Sequence, residues 1–400
     1  MTKENLVFNI YQPYREELKN LPWHKPLSEW VENDFVFIKN VRKGRSKHLV
    51  EFIKTQNYSF AVKQTTPVNA YFEVDTFARL LKRGIHTLTP AGYVIYRDEN
   101  NPAVNGIEDD LAFVVTILKD KSVPHSILFK WDFKEENRKI LYKAVARLLA
   151  QLHVLNIYWG DASLTNNLIK FTKVLNERGN TITEVKAFLT DAESVKILPE
   201  ISKDLLKEDL KDFFNSLRFF NEEYIKQGSD REHISLKEDK KYFLKKYNEH
   251  YDLLKRIKVF EEETGIIVRE TFFEITDINF LEAIQKQIDE HKWYLSEHAN
   301  EEVSMEVSAK DWIDKIYKPI IDEFEKSGIL DLFSDINSVS LYVQIMTHKY
   351  YLSQKKGKDI GTKKAIQDYV KKFSNKRKTK SIVAQLLENI AKIFPSNYRF

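Results

Sequence analysis

Apolar and polar residues alternate in short runs over the first part of the chain, then recur every three or four positions over most of the rest. Phe35–Lys39, Leu49–Lys54 and Tyr58–Lys63 are rich in β-branched and aromatic residues and predict three strands. The turns Val41–His48 and Thr55–Asn57 join them. Phe72, Phe77, Leu80 and Leu81 fall at helical spacing and predict a helix over Asn69–Arg83, stopped by Gly84. Gly92–Tyr96 and Leu111–Leu118 read as two further strands, joined by the polar stretch Arg97–Asp110. Ile140, Leu141, Ala144, Leu148, Leu149 and Leu152 form a stripe on a helix over Lys134–Leu155. An apolar run follows Asn166, another strand covers Val185–Leu189, and a helix covers Lys207–Lys226 with Leu210, Phe213, Phe214 and Leu217 inward. Residues 1–33 read as an extension of short helical pieces, with Trp23 and Trp30 packed on the first sheet.

From residue 231 the chain changes character, becoming helical and charged, and it repeats itself. His291-Lys292-Trp293-Tyr294-Leu295-Ser296 recurs as His348-Lys349-Tyr350-Tyr351-Leu352-Ser353. At the same offset Val303 matches Ile360, Asp311 matches Asp368, Trp312 matches Tyr369 and Ile313 matches Val370. Asp277-Ile278-Asn279 echoes Asp335-Ile336-Asn337 one residue out of phase. Two copies imply similar helical units, about 277–316 and 335–373, packed together. The His-Lys steps either belong to that duplicated framework or form a basic–aromatic ligand or protein site. The run Lys371–Lys380 is strongly basic, and Ile382–Ile393 is amphipathic, which suits a solvated face or a partner helix.

Composition narrows the classes. The 400 residues suit about two or three domains, and 42 % hydrophobic content is ample for buried cores. With 63 basic and 59 acidic residues the net charge is +4, so no large field favours nucleic acid or membrane. The absence of cysteine excludes disulfides, thiolate metal sites and cysteine nucleophiles, and fits a reducing cytoplasm. Met1–Asn5 lacks a signal-peptide pattern, and the apolar run Leu111–Leu118 is far shorter than a membrane span. A cytoplasmic protein is the expectation.

The candidate chemistry lies in Trp159-Gly160-Asp161-Ala162-Ser163-Leu164-Thr165-Asn166, a G-D-x-S-x-x-N loop. An Asp and an Asn at this spacing can orient an acceptor hydroxyl and hold a metal bound to nucleotide phosphates. A second acidic loop, Asp191-Ala192-Glu193, follows the strand Val185–Leu189. Upstream, Phe60-Ala61-Val62-Lys63 matches the V-A-I-K kind of strand, whose lysine reaches the α- and β-phosphates when an acid holds its ammonium. Glu73, on the following helix, is the candidate for that ion pair, with Asp75 nearby. The turn before the second strand holds a single glycine, Gly44. Its backbone, with Ser46 and Lys47, either contacts phosphate or forms a basic solvated tip. Lys119-Asp120-Lys121 stands where a hinge would meet the adenine edge. His153 caps or packs the end of its helix.

Together these residues resemble an uncharacterised bacterial family catalogued as domain of unknown function 4032, whose N-terminal half is described as lipopolysaccharide-kinase-like with a protein-kinase-like fold. The resemblance is sharpest at Gly44–His48, Phe60–Lys63, Glu73, Ser122-Val123-Pro124, Trp159–Asn166 and Asp191–Glu193. In the helical half it touches His291–Glu297 and Gly357–Gly361. It implies an α+β chain: an extension over 1–33, an antiparallel β N-lobe over 34–118, a helical C-lobe over 119–230 and a helical domain over 231–400. It also implies ATP and Mg²⁺ as cofactors, with Lys63 on the phosphates, Glu73 orienting it, Asp161 catalytic, and Asn166 and Asp191 on the metal, joined by Glu193. Trp159 replaces a common histidine, so packing should brace the loop. Ser163 replaces the lysine of ordinary protein kinases, which points to a small-molecule or glycan acceptor. The implied function is phosphotransfer to a hydroxyl. Two alternatives stay open. One is a pseudokinase scaffold whose residues 231–400 bind a protein partner; the other is transfer of AMP.

Overall fold

The computed structural model describes residues 5–41, 48–97, 110–131, 134–175, 181–228, 236–272, 275, 278–333, 336–374, 383–384 and 386–389. Most of the polar stretch after Arg97, Asp277, Asp335 and most of the basic, amphipathic tail lie outside them. The chain divides into two compact units, Met1–Tyr251 and Asp252–Phe400. It is an α+β protein: an antiparallel sheet dominates its N-terminal region, and its C-terminal part is helical.

In the first unit the elements follow as β1 (Leu6–Ile10), α1 (Arg15–Leu18), β2 (Val36–Phe37), β3 (Val50–Lys54), β4 (Ser59–Thr65), α2 (Pro67–Lys82), β5 (Pro90–Tyr96) and β6 (Leu111–Ile117). The strands form one antiparallel sheet in the order β1-β5-β6-β4-β3-β2. The segment expected to be an all-helical extension therefore supplies an edge strand. Leu6-Val7-Phe8-Asn9-Ile10 alternates inward and outward and pairs with β5. The first expected strand shrinks to Val36–Phe37.

Period-two alternation gives the sheet two different faces. Ile53, Phe60, Val62, Val94, Phe113 and Val115 pack beneath Trp23 and Trp30. These indoles cross edge-on at 5.1 Å, and Trp23 lies 5.3 Å from the Phe113 ring. Each N–H finds a backbone oxygen, Leu18 O for Trp23 and Lys25 O for Trp30. The residues between them on β4 and β6 (Ala61, Lys63, Val114 and Thr116) face the opposite way.

α2 starts at Pro67, with Thr66 as N-cap accepting from the Asn69 N–H. Its buried stripe is Ala70, Glu73, Val74, Phe77 and Leu80; Phe72 and Leu81 lie on the exposed side.

The unit continues through β7 (Ser122–Pro124), α3 (His125–Lys130), α4 (Glu135–Val154), β8 (Ile157–Tyr158), β9 (Asn167–Leu175), β10 (Thr181–Leu189), β11 (Lys196–Ile197) and α5 (Lys203–Lys226). Two pairings matter most. β9 and β10 run antiparallel with Asn167 opposite Leu189, and β8 and β11 pair with Tyr158 opposite Lys196. The loop 159–166 lies between β8 and β9, and the loop 190–195 lies between β10 and β11. Each end of one loop is thus tied to an end of the other.

A long helix, α6 (Leu236–Thr264), spans the division between the units. The second unit adds α7 (Val268–Thr271), α8 (Ile278–Ala299), α9 (Met305–Trp312), α10 (Lys318–Ser327), α11 (Ser338–Lys356) and α12 (Thr362–Phe373) around a core containing Phe260, Phe272, Trp312, Tyr317, Phe324 and Tyr342. The internal repeat is repeated in bonding as well. His291 Nε2 lies 2.9 Å from Asp311 Oδ2, and His348 Nε2 lies 2.7 Å from Asp368 Oδ2. The Ser296 and Ser353 hydroxyls accept from the backbone N–H of Val303 and Ile360. Lys292 pairs with Glu302 as Lys349 pairs with Asp359. The matched positions are those that close each helix–loop–helix, so the basic and imidazole groups are engaged inside their own copy. Trp293, Tyr350 and Tyr351 remain exposed.

Candidate nucleotide and metal site

A cavity of about 760 Å³ opens on the face of the sheet that carries Lys63. Val50, Phe52 and Ala61 line it from the sheet, Leu168 from β9, and Leu118–Ser122 where the chain leaves β6. Val50, Phe52, Ala61 and Leu168 make these walls apolar, while Lys119, Asp120, Lys121 and Ser122 add polar groups at the rim. Its other end is strongly charged, and that end gathers residues from separate elements.

Lys63, on β4, stands 3.1 Å from Glu73 Oε2, 3.4 Å from Asp191 Oδ1 and 2.8 Å from Glu193 Oε1. Glu73 is buried in α2 at 1 % exposure, whereas Asp75 pairs with Arg79 on the helix surface. Of the two acids on this helix, only Glu73 meets the lysine. Burial alone would lower the Lys63 ammonium, but Glu73, Asp191 and Glu193 outweigh it and hold it above its ordinary value. Burial pushes the Glu73 carboxyl up to about 7 against the pull of Lys63, and Asp191 and Glu193 add to the push. Burial works upward on Glu193 too, yet Lys63 and His48 bring it below its ordinary value.

Asn166 and Asp191 are set side by side by the β9–β10 register. The Thr190 N–H donates to the Asn166 carbonyl at 3.0 Å, and both Asn166 and Asp191 line the cavity. Asp191 Oδ1 accepts the Glu193 N–H at 3.1 Å, which closes the acidic loop on itself. The Asn166 amide donates to the Asp161 carbonyl, as does the Ser163 N–H, so Asp161 is held at the other end of the same short loop. Gly160 has φ +78, and a Cβ there would sit 2.8 Å from the Ser194 carbonyl oxygen; glycine is needed for the two loops to touch.

The residues present fit a divalent cation. Carboxylate oxygens of Glu73, Asp191 and Glu193 lie within 4.8 Å of one another, Asn166 lines the same cavity, and three carboxylates share one ammonium. Hard oxygen donors with an excess of negative charge are what Mg²⁺ takes. Gly44, Ser46 and Lys47 lie outside the described residues.

Several residues of the site are not signalled by the motif reading. Asp209, fully buried on α5, accepts the Trp159 N–H with Oδ2 and the Gly160 N–H with Oδ1, both at 2.8 Å. His153 Nε2 lies 3.1 Å from the same Oδ2, and its Nδ1 lies 2.7 Å from the Tyr247 hydroxyl. An imidazole does brace the loop, through Asp209 and from α4, alongside the packing of the fully buried Trp159. Asp209 shares the inward stripe of α5 with Phe213 and Leu217, and a carboxylate in an apolar stripe is the signal that could have found it. His48 and Thr65 are the other two: both reach Glu193.

An antiparallel sheet with a lysine–glutamate pair and two tied loops bearing Asp, Asn and a second Asp form a protein-kinase-like fold. The second unit carries a separate mark: residues 305–373 match the family described as domain of unknown function (DUF4032). The matched segment includes His348–Ser353 and Gly357–Gly361 but not His291–Glu297. No curated protein matches the chain. Among solved structures it is similar to one titled "WaaP in complex with acyl carrier protein", with 17 % identity, 61 % of this chain and 88 % of that chain covered, and a TM-score of 0.38. No helix among the described residues is long and apolar enough to cross a membrane.

Proposed function

We infer that the first unit is an ATP- and Mg²⁺-dependent phosphotransferase acting on a hydroxyl of a small-molecule or glycan acceptor. The observation that carries this reading is the convergence of Lys63, Glu73 and Asp191 at one end of an apolar cavity, with the Asp161–Asn166 loop tied against them. In it, Ala61 and Leu168 would hold the adenine, and the Leu118–Ser122 backbone would meet its edge. Lys63, oriented by Glu73, holds the α- and β-phosphates, and Asn166, Asp191 and Glu193 hold the metal. Bound Mg²⁺ supplies charge neutralisation to the phosphates. Asp161 takes the proton of the acceptor hydroxyl as its oxygen bonds to the γ-phosphorus and the bond to the β-phosphate breaks. Such sites work mainly by positioning and fixed charge, so single residues matter steeply.

The test is nucleotide turnover by the purified protein with ATP and Mg²⁺. Asp161→Ala should lower turnover by about 100-fold or more, the scale of a lost proton acceptor, while nucleotide affinity stays within about threefold. Unaltered turnover removes Asp161 from the chemistry. Tight ATP binding without any transfer favours the scaffold reading, which the D-A-E loop motivates. Product mass separates phosphate from AMP transfer.

A further inference from the structure

Glu193 makes contacts that a metal ligand does not need. Its Oε1 lies 2.8 Å from Lys63 Nζ, the shortest of that ammonium's three carboxylate contacts, and accepts from the Thr65 hydroxyl at 3.3 Å. His48 Nε2 lies 3.1 Å from Oε1 and 3.2 Å from Oε2. Lys63 and Thr65 stand two apart on β4 and so face the same way; His48 lies two residues before β3. One carboxylate from the acidic loop is therefore gripped by three side chains of the sheet lobe, at the end of the cavity where phosphate would enter.

That grip conflicts with nucleotide binding. A phosphate reaching Lys63 must share an ammonium already facing three carboxylates, and it meets the negative charge of Glu193 directly. A divalent cation relieves both problems, because it gives Glu193 another partner and screens the phosphate. Asp191, tied to Glu193 through the loop N–H, stands where both acids can face one ion.

We propose that Glu193 is an exchangeable latch: it occupies Lys63 in the nucleotide-free site, with Thr65 and His48 holding it there, and surrenders the ammonium to phosphate only when a divalent cation takes its carboxylate. This rests on the kinase-like reading and adds to it an order of events. The protein admits the metal–nucleotide complex and resists the bare nucleotide.

Calorimetric titration of the full chain with ATP, once in EDTA and once in Mg²⁺, tests the latch without any need for turnover. Wild type should bind weakly in EDTA and more tightly with Mg²⁺. Glu193→Gln should raise the metal-free affinity by about fivefold to tenfold, the scale of one partly buried ion pair, and should shrink the gain from Mg²⁺. Thr65→Val keeps the carboxylate and loosens one anchor; it should raise metal-free affinity about twofold to threefold with the Mg²⁺ gain intact. Metal-free affinity that is unchanged or lower in Glu193→Gln overturns the latch, and if that variant does not fold, the same result in Thr65→Val does so. Wild type binding no nucleotide in either buffer overturns the kinase-like reading itself.

Discussion

Asp209 shows how one buried carboxylate can set a loop. It accepts two consecutive backbone N–H groups, Trp159 and Gly160, and meets the His153 ring, all without exposure to water. Those N–H groups precede Asp161 directly, so the position of the candidate proton acceptor depends on a side chain that substrate never touches. Asp209→Asn keeps the volume but replaces one acceptor oxygen with an NH₂ that faces a donor. The expected result is a loss of about 2–4 kcal/mol in urea unfolding. Turnover should fall with little change in nucleotide affinity, because Lys63 and the apolar walls are untouched; equal losses in both would show a general collapse instead. The trio Lys63, Glu73 and Asp191 is legible from sequence because each sits in a recognisable local pattern: a lysine ending an apolar strand, an acid early on the next helix, and an acid just after a later strand. Asp209 is harder to read: only its alignment with Phe213 and Leu217 marks it, and an acidic residue on a charged helix otherwise looks solvated until the helix is docked.

At the scale of elements, the least legible piece is β1. Five residues ahead of a proline-bearing turn give too short a run for its alternation to stand out, and pairing with the edge of β5 makes it a strand. Its docking depends on Gly92. That residue has φ +136, and a Cβ there would lie 2.1 Å from the Asn9 carbonyl oxygen and 2.8 Å from the Ile10 Cα, both backbone atoms that cannot yield. Gly92→Ala should therefore cost about 2–4 kcal/mol. Amide exchange at Leu6–Ile10 should speed up more than exchange in β4 or β6. Uniform acceleration across the sheet would show that β1 is not the element displaced. The helices were easier to read, yet a stripe fixes a helix better than its inward face. Phe72, Leu81 and Ile140 are apolar and lie outside, while Glu73 lies inside because Lys63 is there to meet it.

At the scale of the whole molecule, near-neutral charge leaves stability to individual buried groups, and among the described residues of the first unit three histidines are shifted in one direction. Burial lowers His125 from 6.5 to about 4, opposed by the neighbouring Asn167 amide. His86 and His250 are also lowered to about 4, by burial first and then by nearby cations including Arg147. In the unfolded chain each ring takes up its proton near pH 6.5; in the folded unit it does so only near 4. The stabilisation is therefore complete above about pH 6.5 and is lost as pH falls through that interval. His125 alone accounts for roughly 3 kcal/mol across it. The more exposed His86 and His250 add less, and Glu73, held up near 7, works the other way. Unfolding measured from pH 7 to 5 should show falling stability, and His125→Leu should flatten that slope by up to about one proton. An identical slope in the variant would mean that His125 does not titrate with unfolding. None of this is legible in sequence, where a lone histidine carries no sign of its surroundings.

The doubled His–Asp helical unit has a consequence for how the chain must be made. Because both copies use the same lock, α8 carries a histidine that suits Asp368 as well as Asp311, and α11 carries one that suits either in turn. A polypeptide leaving the ribosome offers the first histidine its own aspartate before the second pair exists, so vectorial synthesis sorts the partners. Dilution from denaturant releases all four at once, so crossed pairing should show as a slow refolding phase that His348→Ala removes; single-phase refolding of the wild type would mean that each copy sorts its own pair.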